Sequence, residues 1–288
     1  MNNDRPVGMN GLVMNTRRDI FNNRNVRLAL SYAYDHEWIN KTIYQNAYVR
    51  TDSYFDNSPL ASSGLPSKNE LELLNVWKDE IPAEVFTETF TPPITDGSGN
   101  DRKNLLKAKE ILEKEGWFVE DGKEFKFEFL IVSPSDEKIA LAYQSNLKKL
   151  GITMDVRTVD SSQYQERLLS YDFDMIKRYW GVSLSPGNEQ QFYWGSEVGQ
   201  KDGSRNYPGI NSPAVDALIE KLISATNREE LTTAIHALDR VLLWGHYVVP
   251  LYHSNKDRIA YWDFFEYPDE IPLYGIVIES WWINKDKQ

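Results

Sequence analysis

The sequence contains no cysteine, which excludes disulfide bonds, thiolate metal sites and cysteine nucleophiles. It also has no stripe of Lys and Arg, because 43 acidic residues outnumber 32 basic ones and the formal charge is −11. A surface that follows nucleic-acid phosphates is therefore not expected. No apolar run approaches the length of a membrane span. Residues 1–6 are polar, so we expect no signal peptide in this chain.

Motifs of common enzymes and metal sites are missing as well. The four histidines are scattered without metal-ligand spacing, and they are His36, His236, His246 and His253. There is no G-x-S-x-G elbow, no P-loop and no G-x-G-x-x-G. We therefore predict no catalytic residues, no metal and no cofactor.

The middle of the chain alternates strand and helix patterns, and such an order indicates a parallel α/β sheet. Apolar residues at period two mark strands, and apolar residues three and four apart mark helices. The predicted elements are a helix at 102–115, a strand at 125–132, a helix at 136–150, a strand at 152–159, a helix at 161–170 and a strand at 173–180.

The flanking regions are less regular, and residues 48–100 contain five prolines with only one short helix predicted, at 67–76. The other predicted elements are a strand at 8–14, a continuous helix at about 25–39, helices at 213–224 and 228–244, and a strand pair at 248–253 and 258–262.

An open α/β sheet binds ligands where loops leave the carboxyl ends of its strands. The segment that follows the third strand mixes Gly and Pro with aromatic rings and neutral amides. Such a loop offers backbone and ring contacts to an extended ligand, although a surface loop with buried aromatics is the plainer alternative. From this segment and the nearby 203–207 loop we predict the ligand contacts Trp180, Ser183, Ser185, Asn188, Gln190, Tyr193, Trp194, Arg205 and Tyr207.

Three strings resemble family 5 of the extracellular solute-binding proteins, which bind oligopeptides, dipeptides, nickel and related ligands. Asn25–Asp35 (NVRLALSYAYD) is similar to a characteristic helix of that family. Tyr171–Ile176 followed by Trp180-Gly181 is similar to a strand of its C-terminal lobe, and Val248–Tyr252 (VVPLY) to the strand that returns to the first lobe. The resemblance implies a type II periplasmic-binding-protein lobe, with a βαβαβ sheet and flanking helices, plus remnants of the first lobe.

Longer strings narrow the likeness to the binding component of the microcin C and oligopeptide ABC importer. They are Gly64–Ser67, Thr91–Asn100, Ser183–Gln190, Leu242–Pro250 and Asp257–Trp262. This likeness implies capture of a peptide or peptide-like antibiotic in an inter-lobe cleft, without chemistry. It further implies a periplasmic monomer that delivers its ligand to ABC permease subunits in the inner membrane.

The chain departs from the family pattern in two ways. Family members carry a whole N-terminal lobe before the Asn25–Asp35 helix, so the chain resembles a C-terminal portion. The resemblance divides it into residues 1–20 (lobe-one strand and hinge), 21–246 (C-terminal ligand-binding lobe) and 247–288 (return segment to lobe one). Oligopeptide relatives also place an acid three residues after the tryptophan, where this chain has Ser183, which cannot pair with an ammonium as a carboxylate does. The family's basic residue three before the tryptophan corresponds to Lys177, a tenth predicted contact.

Two alternatives remain open from the sequence. The first is an α/β hydrolase acting on peptide or glycan, for which Asp172 with Asp174, or Glu189 with His246, are the candidate pairs. The second is a truncated chain with no ligand binding of its own.

Overall fold

The computed structural model describes residues 1, 3–118, 124–270, 272–273 and 275–287. The helices are α1 (Asp19–Asn22), α2 (Arg24–Tyr32), α3 (His36–Thr42), α4 (Lys68–Leu74), α5 (Glu84–Thr87), α6 (Arg102–Lys114), α7 (Pro134–Lys149), α8 (Ser161–Leu169), α9 (Glu189–Trp194), α10 (Pro213–Ile223) and α11 (Arg228–Trp244). The strands are β1 (Asn10–Met14), β2 (Val49–Arg50), β3 (Lys126–Ile131), β4 (Thr153–Thr158), β5 (Met175–Tyr179), β6 (Val248–Pro250), β7 (Tyr252–His253), β8 (Phe265–Glu266) and β9 (Trp282–Ile283).

A five-stranded sheet in the order β4-β3-β5-β1-β6 forms the centre of the molecule. Strand β3 pairs in parallel with both β4 and β5, which confirms the α/β fold class predicted from the strand and helix order. Helices begin where side chains cap their free N–H groups. Ser133 caps α7, Asp160 caps α8 and Asn227 caps α11.

Strand β1 runs antiparallel between β5 and β6, so a segment from the start of the chain lies inside a sheet built by its later parts. Two glycines permit this close approach. A Cβ on Gly11 would lie 2.1 Å from Val248 Cγ1, and one on Gly8 would lie 1.7 Å from the Trp180 carbonyl oxygen. The sequence predicted the strand but not its position in the sheet.

The helix predicted at 25–39 is divided into α2 and α3. The break falls at residues 33–35, where the Asp35 carboxylate accepts a hydrogen bond from Trp38 N and starts the second helix. The same carboxylate accepts a hydrogen bond from Gly99 N at 2.9 Å, which ties the break to the 91–100 segment. The continuous helix was therefore a wrong prediction, because an aspartate N-cap interrupts the apolar periodicity.

The second member of the strand pair predicted at 248–253 and 258–262 was also wrong. Residues 258–262 lie outside the strands, and β7 pairs instead with β2. Among the described residues after 260, β8 and β9 form a separate two-stranded sheet, and Trp262 and Ile278 are 73% and 74% exposed. This segment, 261–283, is called the aromatic tail below.

The irregular 51–70 segment is anchored to α11 by two buried acidic residues. Asp239 accepts hydrogen bonds from Ser53 Oγ and Tyr54 N at 2.8 Å each, and from both the N and Oγ of Ser62. Glu70 pairs with Arg240 Nε at 2.6 Å, and both side chains are about 95% buried. Polar contacts thus replace regular secondary structure in holding this segment.

Candidate functional site

The carboxyl ends of β3 and β5 lie side by side, and together with the start of α7 they form what we call the carboxyl edge. Lys177, on β5, reaches across to α7, where its Nζ lies 2.6 Å from Asp136 Oδ1. Both side chains are largely shielded from solvent. At the same edge, Ser133 Oγ lies 2.8 Å from Ser135 Oγ. The edge therefore presents a charged pair and two hydroxyls.

The two predicted stacking tryptophans lie in the core beneath the loop that follows β5. Trp180 and Trp194 are each 2% exposed, and their ring centroids are 4.8 Å apart. Trp180 Nε1 donates to the Arg205 carbonyl oxygen at 3.0 Å, and Trp194 Nε1 donates to Gln190 Oε1 at 2.9 Å. In this structure the rings hold the loop in place and offer no open face to a ligand.

Three further predicted contacts share this buried environment. Tyr193, Tyr207 and Gln190 are all less than 10% exposed. Tyr207 packs against Trp180 at 5.8 Å and accepts a hydrogen bond from the Arg178 guanidinium at 3.2 Å. The rings of the loop and of the 203–207 segment thus pack against each other in the core. The sequence analysis had instead predicted two separate loops that contact the ligand.

The polar residues of the loop lie on its outer side. Ser183, Ser185, Asn188 and Arg205 are exposed, and Lys177 is half-buried. Ser183 Oγ accepts a hydrogen bond from Ser185 N at 3.2 Å, which shapes the loop. These five of the ten predicted contacts are accessible to a ligand in the structure described.

Sequence reasoning missed two residues of the carboxyl edge. Asp136 pairs with Lys177, and Tyr179, which ends β5, is 53% exposed. Strand alternation places Lys177 and Tyr179 on one face, a signal that was available in the sequence. The position of Asp136 could not be predicted from the sequence, because it depends on the pairing of β3 with β5.

The candidate hydrolytic pairs have other roles in the structure. Asp172 and Asp174 both pair with Arg18, at 3.0 and 3.1 Å. The Glu189 carboxylate accepts a hydrogen bond from Gly187 N. Burial lowers the pKa of His246 to about 3, and its ring packs beside Phe90 and Trp244.

Two kinds of feature are absent from the part of the chain that the structure describes. It contains no group of three or more His, Cys, Asp or Glu side chains placed to hold a metal ion. Among these same residues, no helix combines the length and apolarity that crossing a bilayer requires.

Comparison with known proteins agrees with this architecture. The model of the bacterial extracellular solute-binding proteins, family 5 Middle, matches residues 1–202. Protein y4wM of Sinorhizobium fredii is 49% identical over 283 residues, covering 95% of this chain and 43% of its own length. The probable peptide-binding protein YejA of Agrobacterium fabrum is 42% identical over 291 residues, covering 98% of this chain and 47% of its own.

The fold is also similar to solved structures. The oligopeptide-binding protein AppA of Bacillus subtilis, in complex with a nonapeptide, superimposes with a TM-score of 0.66 at 19% identity, covering 98% of this chain and 51% of AppA. The chain belongs to the family 5 extracellular solute-binding proteins, as the resemblance predicted. It spans about half the length of the curated relatives it matches.

Proposed function

We propose that this chain is the ligand-binding portion of the substrate-binding component of a periplasmic ABC importer for oligopeptides or peptide-like antibiotics. The observation that carries the proposal is the carboxyl edge, where Lys177 pairs with Asp136 and Tyr179 is exposed. The loop that leaves this end of β5 carries the exposed residues Ser183 and Asn188. A peptide has a charged group of each sign, backbone amides and apolar side chains. This edge offers a matching group for each of them.

Oligopeptide relatives carry an acidic residue at the position of Ser183. We propose that Asp136, in its pair with Lys177, supplies the negative charge that this chain lacks there. A ligand carboxylate would displace Asp136 from Lys177, and a ligand ammonium would displace Lys177 from Asp136. A zwitterionic peptide that brings both charges would keep each shielded group paired, whereas a ligand with a single charge would leave the displaced partner without a counter-charge.

The carboxyl edge is an open surface, and we propose that a second lobe closes over it. None of the ten predicted contacts lines the three clefts of about 320, 540 and 380 Å³ found elsewhere on the molecule. The relatives are about twice as long as this chain, and we propose that the part of them that it does not match supplies that second lobe. Binding at the carboxyl edge alone is therefore expected to be weak, since half the contacts would be missing.

Isothermal titration calorimetry with a peptide library tests this function. We expect the chain joined to the N-terminal half of one of its longer relatives to bind peptides, and Lys177→Met to weaken binding by about tenfold or more. Lys126→Met is the matched control, because Lys126 pairs with Asp155 at the other end of β3. Loss of binding in both variants, or in neither, would contradict the assignment of this edge.

The hydrolase alternative predicts turnover of peptide or glycan by the same protein. The ion pairs of Asp172 and Asp174 and the burial of His246 argue against it, because a general acid or base must reach its substrate. Recovery of intact peptide after prolonged incubation, measured by mass spectrometry, distinguishes capture from cleavage.

A further inference from the structure

A cleft of about 380 Å³ lies at the opposite edge of the sheet from the carboxyl edge. Thr16 and Arg17 follow the end of β1, and Tyr247 precedes β6. Because Met14 at the end of β1 pairs with Met175, the first residue of β5, these residues lie at the amino end of β5. The wall also includes Arg27 and, at the rim, Asn22, Gln200 and Asn211. We call it the arginine cleft.

The lining of the arginine cleft contains two cations and no acid. This is unusual in a chain of net charge −11. By comparison, the cleft of about 320 Å³ is lined by Glu197, Asp216 and Glu220, and the cleft of about 540 Å³ contains three glutamates. The arginine cleft is therefore a local region of positive potential on an acidic protein.

Both guanidinium groups are held by neutral oxygens. Arg27 is 4% exposed and donates to the carbonyl oxygens of Phe21, Asn22 and Gly245 at 2.6–3.1 Å. Arg17 donates to Asn15 Oδ1 and to three carbonyl oxygens, those of Gly199, Asn206 and Tyr207. Among the described residues neither arginine has a carboxylate partner, so both positive charges lack a counter-charge.

Burial without a counter-charge penalises the charged form of each arginine. It lowers the pKa of Arg27 to about 10, and it lowers the pKa of Arg17 as well. Arg17 Nε has no acceptor among the described residues, and the exposed amides of Asn22, Gln200 and Asn211 lie on the same lining. The cleft thus combines unneutralised charge, free donors and a volume in the range of small-ligand sites.

We propose that the arginine cleft binds a small oxyanion of the phosphate or sulfate type, at a site separate from the carboxyl edge. The anion would supply the counter-charge that the fold omits, accept the free Arg17 Nε–H, and accept further hydrogen bonds from the rim amides. The fixed carbonyl cages hold both guanidiniums in place before the anion arrives, so binding requires little ordering of side chains.

Titration of the full chain with inorganic phosphate, followed by calorimetry and phosphorus NMR at constant ionic strength set with sodium chloride, tests the proposal. We expect a saturating isotherm with one site per chain and a similar response to sulfate. Acetate, which carries a single charge and two oxygens, should bind more weakly. An unsaturable response, or acetate binding as tightly as phosphate, would overturn the assignment.

Two variants locate the site. Arg17→Gln should abolish phosphate binding, but it also removes the contacts that hold the 199–207 carbonyls. Asn211→Asp is the decisive variant, because it adds a negative charge on the rim while leaving both arginines in place, and we expect it to weaken binding by at least about tenfold. Asn100→Asp is the matched control on an exposed asparagine outside the cleft and should bind as the unaltered chain does. Equal affinity of Asn211→Asp and Asn100→Asp for phosphate would refute the location.

Discussion

The buried pair of Glu70 and Arg240 is the residue-scale contact that ties α4 to α11. Besides the pair itself, Arg240 donates to the carbonyl oxygens of Ser63 and Gly64 at 2.8 and 2.7 Å. His236 Nδ1 lies 3.6 Å from the same glutamate. These contacts outweigh desolvation and lower the pKa of Glu70 to about 2. One arginine thus stabilises a helix N-terminus and a loop together.

Replacing Arg240 by methionine should lower the free energy of unfolding by about 3–5 kcal/mol, because Glu70 would remain buried without its partner. Urea unfolding measured by circular dichroism checks this. Lys201→Met removes one partner of the exposed Lys201–Glu197 pair and should change stability by less than about 1 kcal/mol. Comparable losses in the two variants would show that burial is not what makes the first pair matter.

Asp239 predicts a pH dependence of stability. Burial raises its pKa from 3.8 to about 6, although four donors favour the ionised form. Because the folded-state pKa lies above the unfolded one, the native state holds the proton more tightly. Its contribution to stability is present below about pH 4 and is lost as the pH rises through about 6, an effect on the order of 3 kcal/mol.

Asp239→Asn should remove this component. Urea midpoints measured at steps between pH 4 and pH 7 should fall with rising pH in the unaltered chain and show a flatter profile in the variant, once other groups are subtracted. An identical pH profile in both proteins would mean that Asp239 is already ionised at the lower limit.

At the scale of elements, the sequence predicted what depends on local pattern. The bounds of α6, α10 and α11 and of the strands β3 to β5 agree with the periodicity within about two residues. It failed where long-range pairing decides, as in the position of β1 and the partner of β7. It also missed one local signal, the Asp35 N-cap that separates α2 from α3. The residue types of the site loop were informative, but their exposure was not, because burial of Trp180 depends on packing against Trp194 and Tyr207.

Gly11 provides a test of the position of β1. Gly11→Ala should lower the free energy of unfolding by about 1–3 kcal/mol or more, since its Cβ would collide with Val248 and with the Val249 carbonyl oxygen. Gly181→Ala is the control, because the nearest atom to its Cβ is Tyr179 Cε1 at 3.7 Å. Thermal unfolding distinguishes the two, and similar melting temperatures would place β1 elsewhere.

At the scale of the whole molecule, the aromatic tail exposes large apolar side chains to solvent. Trp262, Ile278 and Trp282 are exposed between 49% and 74%. Exposed apolar surface of this kind marks an interface or an aggregation liability. With a chain about half as long as its relatives, we propose that the second lobe covers this surface.

The double change Trp262→Ser and Ile278→Ser should therefore leave thermal stability nearly unchanged and reduce binding of a hydrophobic dye. In the lengthened protein that contains the second lobe, the same changes should instead lower stability, because the surface is then buried. Phe192, which is 42% exposed on α9, supplies the control variant Phe192→Ser outside the tail. Equal effects in the short and long proteins would show that the tail faces solvent in both.

The placement of β1 between β5 and β6 has a consequence for how the molecule forms. Val13 pairs with Ile176 on one side and with Val248 on the other, so both of its strand partners are synthesised long after it. Pairing at such sequence separation slows folding, because the entropy of closing long loops is lost before the contacts are gained. During synthesis β1 finds no sheet partner until β5 has emerged, and its second edge stays unpaired until β6 follows at residues 248–250.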